Sequence, residues 1–145
     1  MARLRTAETG RTSIMGAASS MRRDMDLVRR ILIAMEESDD GVVDGEALVS
    51  DAHDLRSVAY HFAIMQQAGF LTAMVGDTVT GEVQSAFADG LTWQGQDFLA
   101  SIRSDKVWAK IKLALRKSIG SASWETIRSV GVKLGTAALE AQLGI

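Results

Sequence analysis

Three features of the sequence point to a mainly α protein with a small β wing, an α+β fold. Apolar residues at 55, 58, 59, 62 and 65 recur at helical rather than alternating spacing. Gly69 stands where that spacing stops, at the position where a helix end favours positive φ, and Phe70-Leu-Thr-Ala-Met-Val75 then reads as a strand. Beyond Leu91 the helical spacing returns, with Thr92 placed to cap a helix that directs Trp93, Phe98, Leu99 and Ile102 toward a core.

Residues 1–20 are small, polar and arginine-bearing with little periodicity, and are expected to be a flexible arm ahead of Met21; Arg3, Arg5 and Arg11 would let such an arm reach nucleic acid. A first helix follows, capped by Asp24, with Leu27, Val28, Ile31, Ala34 and Met35 as its buried stripe and Arg22, Arg23, Arg29 and Arg30 away from it. Ser38-Asp-Asp-Gly41 signals a turn, then Val42 and Val43 read as a short strand and Gly45 to Val49 as a short helix of about one turn. The helix from Leu55 is next. Strands are expected over Leu71–Val75 and Glu82–Phe87, with Asp77, Thr78 and Gly81 in the connection and Gly76, Gly81 and Gly90 as breaks. This order of elements is that of a winged helix-turn-helix, in which the helix before the hairpin and the wing meet the partner.

Residues 105–145 read as a C-terminal helical extension. Val107, Trp108, Ile111 and Leu115 make one face of a basic amphipathic helix, with Lys106, Lys110, Lys112, Arg116 and Lys117 largely off it. Ser118-Ile-Gly-Ser-Ala-Ser123 is a break. A last helix over Trp124–Leu143 carries Gly131 and Gly135, each costing about 1 kcal/mol against alanine, so it is expected to need a packing surface. Glycines one turn apart allow another helix to approach, from the same chain or from a second copy, so docking and a homodimer through the C-terminal helices both stand open. The expected organisation is an arm over 1–20, a winged-helix-like domain over 21–104 and helices over 105–145.

Composition excludes several function classes. There are no cysteines, hence no disulfide framework and no thiolate metal site. His53 and His61 are the only histidines, with no acid at a recognisable spacing, so no metal is expected, and His61 reads as a surface or half-buried helix residue. No phosphate loop, nucleophile elbow or spaced carboxylate pair is present, so neither catalysis nor a cofactor is expected. The absence of a run of about 18 apolar residues, or of an apolar leader, leads to the expectation of a cytoplasmic protein with no membrane span.

The net charge of −2 conceals segregation. Residues 1–30 carry seven arginines against three acids, 31–50 carry six acids and no base, and 101–120 carry six bases against Asp105. Between 51 and 100 a single base, Arg56, faces six acids. Duplex DNA is held by cations that neutralise phosphates, so the expected reading head is the acidic part of the chain.

The stretches Met21-Arg-Arg-Asp-Met-Asp-Leu-Val-Arg-Arg-Ile-Leu32, Tyr60-His-Phe62 with Gln67-Ala-Gly-Phe-Leu71, Leu91-Thr-Trp-Gln-Gly-Gln-Asp-Phe-Leu99 and Ile102-Arg-Ser-Asp-Lys-Val-Trp108 resemble a bacterial and prophage family known only as a domain of unknown function. The resemblance runs from Met21 to about Leu143. It implies a winged-helix-like fold, a home on mobile elements, a start at the equivalent of Met21, and a histidine where this chain has Gln96.

Two functions are expected from these readings. As a DNA-binding regulator, the reading the fold favours first and to which the other is the alternative, the protein would face bases with Arg56, Ser57, Tyr60, His61 and Gln67, since Arg, Ser, His and Gln side chains can reach base edges. Arg22, Arg23, Arg29 and Arg30, or Lys106 and Lys110, would then meet phosphates. As a protein-interaction module acting on a host or phage system, it would use Tyr60, Ile64, Asp77 and Glu82, because an exposed tyrosine beside an aliphatic is commoner where proteins meet.

Overall fold

A computed structural model describes residues 22–117 and 124–144. Helix α1 spans Met25–Glu37; strand β1, Val43–Asp44, runs into a 3-10 turn over Gly45–Leu48; helix α2 spans Leu55–Gln67. Strands β2, Leu71–Asp77, and β3, Val83–Leu91, form the hairpin, and helices α3, Trp93–Ile102, α4, Asp105–Lys117, and α5, Trp124–Leu143, follow. The architecture is mostly helical with a three-stranded antiparallel sheet in the order β1-β3-β2. The arm over 1–20 and the break over 118–123 lie outside the described residues, as does the side chain of Trp124.

The chain divides into two compact units that meet at Gly95 and Gln96, inside α3. In the first, α1 begins at Asp24, whose carboxylate accepts from the Asp26 and Leu27 amides and so satisfies donors that the first turn leaves open. Leu27, Val28, Ile31, Leu32 and Met35 are its buried stripe. Asp54 caps α2 by accepting from the Ser57 amide, and Val58, Ala59, Phe62 and Met65 are buried. Gly69 has φ +82°, a conformation that side chains resist, and it turns the chain from α2 into β2.

The strands are longer than expected. Gly76 and Gly90, read from sequence as breaks, sit inside β2 and β3. A Cβ at Gly76 would press on Ser85 Oγ and one at Gly90 on Thr72 Oγ1, at positions near shifts in register at Thr72/Ala73 and Gly76/Asp77. Glycine here marks bulges and close cross-strand approach, which continue the ladder rather than end it.

The second unit contains the rest of α3 with α4 and α5. Phe98, Leu99, Ile102, Trp108, Ile111 and Ile127 are buried. Gly131 is required by proximity: a Cβ there would collide with the Ser101 carbonyl, so α5 approaches α3 at backbone distance, whereas Gly135 has open space around it. Trp93 departs from expectation, being 82% exposed. It opens α3 beside the Thr92 cap, and five helical steps to Phe98 rotate it about 140° from the buried face.

Candidate functional site

Two places in the first unit carry the features from which function can be argued. One is the solvent side of α2. Arg56, Tyr60 and Ile64 follow one another at four-residue steps, and Gln67 continues the line; Arg56 and Gln67 are exposed, Tyr60 and Ile64 half-buried. Ser57 and His61, expected to face bases beside them, are buried instead, at 1% and 0% exposure. They occupy the next line around the helix, one residue or about 100° further, which turns inward. The helix therefore keeps three of its five expected base-facing residues on the solvent side.

The inward line belongs to a polar cluster. Asp24 Oδ2 lies 2.8 Å from His53 Nε2, and His53 Nδ1 lies 2.7 Å from Ser57 Oγ. His61 Nδ1 is 2.8 Å from the Ser57 carbonyl, and the Asp24 amide donates to His61 Nε2 at 2.9 Å. The two rings meet edge to face at 5.5 Å, with the Tyr60 ring edge-on to His61 at 5.7 Å.

The partners dictate the proton positions. A backbone amide can only donate, so His61 Nε2 accepts; a carbonyl can only accept, so His61 Nδ1 carries the hydrogen. His61 is thus neutral by construction. Burial pushes its pKa below the usual histidine value, the nearness of His53 adds to this, and the Ser57 carbonyl and Asp24 charge oppose it without prevailing. Burial also works against the Asp24 carboxylate, yet the hydrogen bonds from His53 and from the Asp26 and Leu27 amides, with the attraction of His53, hold it below its ordinary range. His53 donates from Nε2 to that carboxylate, and its Nδ1 pairs with the Ser57 hydroxyl.

Asp24, His53 and Ser57 have the connectivity of a hydrolytic triad, but Ser57 Oγ is closed to solvent and its hydroxyl is engaged within the helix layer. The cluster ties the start of α1 to α2 and to the loop ahead of it. It was legible only in part: His53, Ser57 and His61 recur every four residues, a one-face signal, while Asp24 is 37 residues from His61. Among the described residues no group of three histidines and acids is placed to hold a metal ion, and no helix is long and apolar enough to cross a membrane.

The remaining candidates are distributed. Arg22, Arg23 and Arg30 are exposed at α1 and Arg29 is half-buried; Asp77 and Glu82 are exposed at the hairpin; Lys106 and Lys110 are exposed on α4, in the second unit. Sequence reasoning missed the outer face of the sheet, where Met74 and Phe87 stand opposite each other and exposed.

The sequence model of a family described as hypothetical protein (DUF2513) matches residues 22–122, which span the histidine cluster, the sheet and α4. A protein of Haemophilus influenzae (strain ATCC 51907 / DSM 11121 / KW20 / Rd), described as uncharacterized, is 33% identical over 113 residues, covering 76% of this chain and 92% of its own length. No solved structure matches.

Proposed function

The chain belongs to the DUF2513 family, and we propose that it is a non-catalytic winged-helix module that binds another protein through α2 and the hairpin. The winged-helix reading is supported by the order helix, short strand, one turn, helix, hairpin and by the strand order β1-β3-β2. One observation carries the choice of a protein partner. From Asp51 to Gly95 the surface offers Arg56 as its one lysine or arginine, against exposed Asp51, Asp54, Asp77, Glu82 and Asp89 and an outward Met74–Phe87 pair. A phosphate-tracking face needs several cations, whereas an apolar centre with a charged rim suits a protein surface. On this reading Tyr60 and Ile64 form the second contact, and the phage or prophage setting implied by the resemblance makes a host or phage protein the partner of that α2 face.

Regulation through DNA is the second reading, favoured by the exposed Arg22, Arg23 and Arg30 and by Lys106 and Lys110. Titration of random-sequence duplex DNA across a salt series, with the full chain and a version starting at Met21, separates the two. The protein-binding reading expects no duplex binding at physiological salt. Binding that falls steeply with salt, and that is lost on charge reversal at those arginines and lysines, would establish the DNA reading in its place. Neutralising Asp77 and Glu82 should weaken a protein complex and leave DNA untouched.

A further inference from the structure

The outer face of the sheet has an uncommon make-up. Asp44, Phe87 and Met74 stand in one row across β1, β3 and β2, because residues paired directly across antiparallel strands point to the same side. Phe87 is on the central strand yet 39% exposed, and Met74 is 67% exposed. Asp89, two residues beyond Phe87, shares the face and accepts from the Thr72 hydroxyl at 2.7 Å. The three strands contain no lysine or arginine. Two large apolar side chains are thus flanked by carboxylates.

In the second unit α4 carries the complementary pattern. Trp108 and Ile111 are buried, while Lys106, Lys110, Leu113 and Arg116 are exposed, Leu113 at 55%. Their spacing puts them on one stripe of the helix. Here a large apolar side chain lies between cations.

We propose that the outer sheet face of one copy of the chain receives the α4 stripe of a second copy, Leu113 against Met74 and Phe87, with Lys110 and Arg116 toward Asp44 and Asp89. This rests on reading the sheet face as a protein-binding surface and names its occupant. Every chain carries both halves of the contact, and the proposed assembly is a two-fold pair that makes it twice. The repetition matters, because a three-turn helix on a three-stranded face buries too little alone to approach the roughly 1,200 Å² of a stable interface. Removal of Leu113, Met74 and Phe87 from water supplies cohesion, and the exposed charge pairs fix orientation and quicken encounter.

Sedimentation velocity of the full chain over a wide concentration range provides the test. The expected result is a dimer that forms with concentration and weakens as salt rises. A sheet variant, Met74→Lys with Asp89→Lys, and a helix variant, Lys110→Glu with Leu113→Glu, each weaken self-association about tenfold or more. All four positions are exposed, and circular dichroism verifies that both variants fold. Mixing them restores the dimer, since reversed sheet then meets reversed helix in one contact and the native pair meets in the other. A monomer at every concentration, a dimer indifferent to both variants, or no recovery on mixing overturns the proposal. The duplex titration reports separately on the broader protein-binding reading.

Discussion

The histidine cluster and the outer sheet face lie in the same unit and break the rule of apolar inside, polar outside in opposite directions. At the first, His61 and Ser57 are closed to solvent, and each ring nitrogen of His53 and His61 has a partner within 2.9 Å. At the second, Met74 and Phe87 face water on a sheet whose inner side carries Val43, Leu71, Ala86 and Ala88. A buried polar group that is fully hydrogen-bonded holds elements in place and has nothing left with which to meet a ligand. A large apolar side chain left outside contributes little to the fold and is free to meet a partner. The contrast divides the unit into a polar interior that is architectural and an apolar exterior that is available.

Substitution at His61 should have the largest effect. His61→Ala leaves the Asp24 amide without its acceptor and opens a cavity between α1 and α2, and a loss of about 2–4 kcal/mol is expected from urea unfolding. A loss below about 1 kcal/mol would mean that the cluster is not architectural.

Acidification sharpens the same point. The folded state keeps His61 neutral while the unfolded chain takes up a proton near the ordinary value of 6.5, so the unfolded state binds more protons as pH falls below that value and stability falls with it. Asp24, held below its ordinary 3.8, adds a further loss at lower pH, as its folded carboxylate resists protonation longer than its unfolded one. His61→Gln should flatten the first decline, seen in melting temperature against pH, and leave the second. An unchanged first decline in that variant would move its origin elsewhere.

Ser57→Ala removes the hydroxyl that His53 Nδ1 uses, and is expected to cost about 1–2 kcal/mol with the helix itself intact. At the other pole, Met74→Ser should change stability by no more than about 0.5 kcal/mol. A cost at Met74 as large as that at Ser57 would erase the distinction between the regions.

What could be read in the sequence was whatever is settled locally. The Asp24 cap, the turn at Gly69, the Thr92 cap and the bounds of α5 each depend on residues within a turn or two of one another, and the structure has all of them. The inward turn of His61 depended on a partner 37 residues away, and polar residues flanking a buried stripe can rotate either way until that partner is known. Gly76 and Gly90 read as interruptions because a bulge is a property of two strands, whereas a sequence shows one at a time. The availability of Phe87 was hidden for a related reason: in an alternating strand the bulkier set is ordinarily assigned to the core, and in β3 the small alanines take that side instead.

The alanines on the inner side of β3 have a further consequence for how the hairpin finds its alignment. Strand pairing is usually kept in step by polarity, since a slip of one residue drives charged groups inward. In this hairpin a slip of β3 would carry Asp89 inward together with Phe87, so polarity and size discriminate together. α2 lies against a surface carpeted by the methyl groups of Ala86 and Ala88, and a one-residue slip of β3 would thrust the Phe87 ring into that narrow gap. The small residues thus act as a gauge that admits one alignment during folding. Enlarging them, as in Ala88→Leu, should produce a mixture of pairings before it produces an unfolded chain.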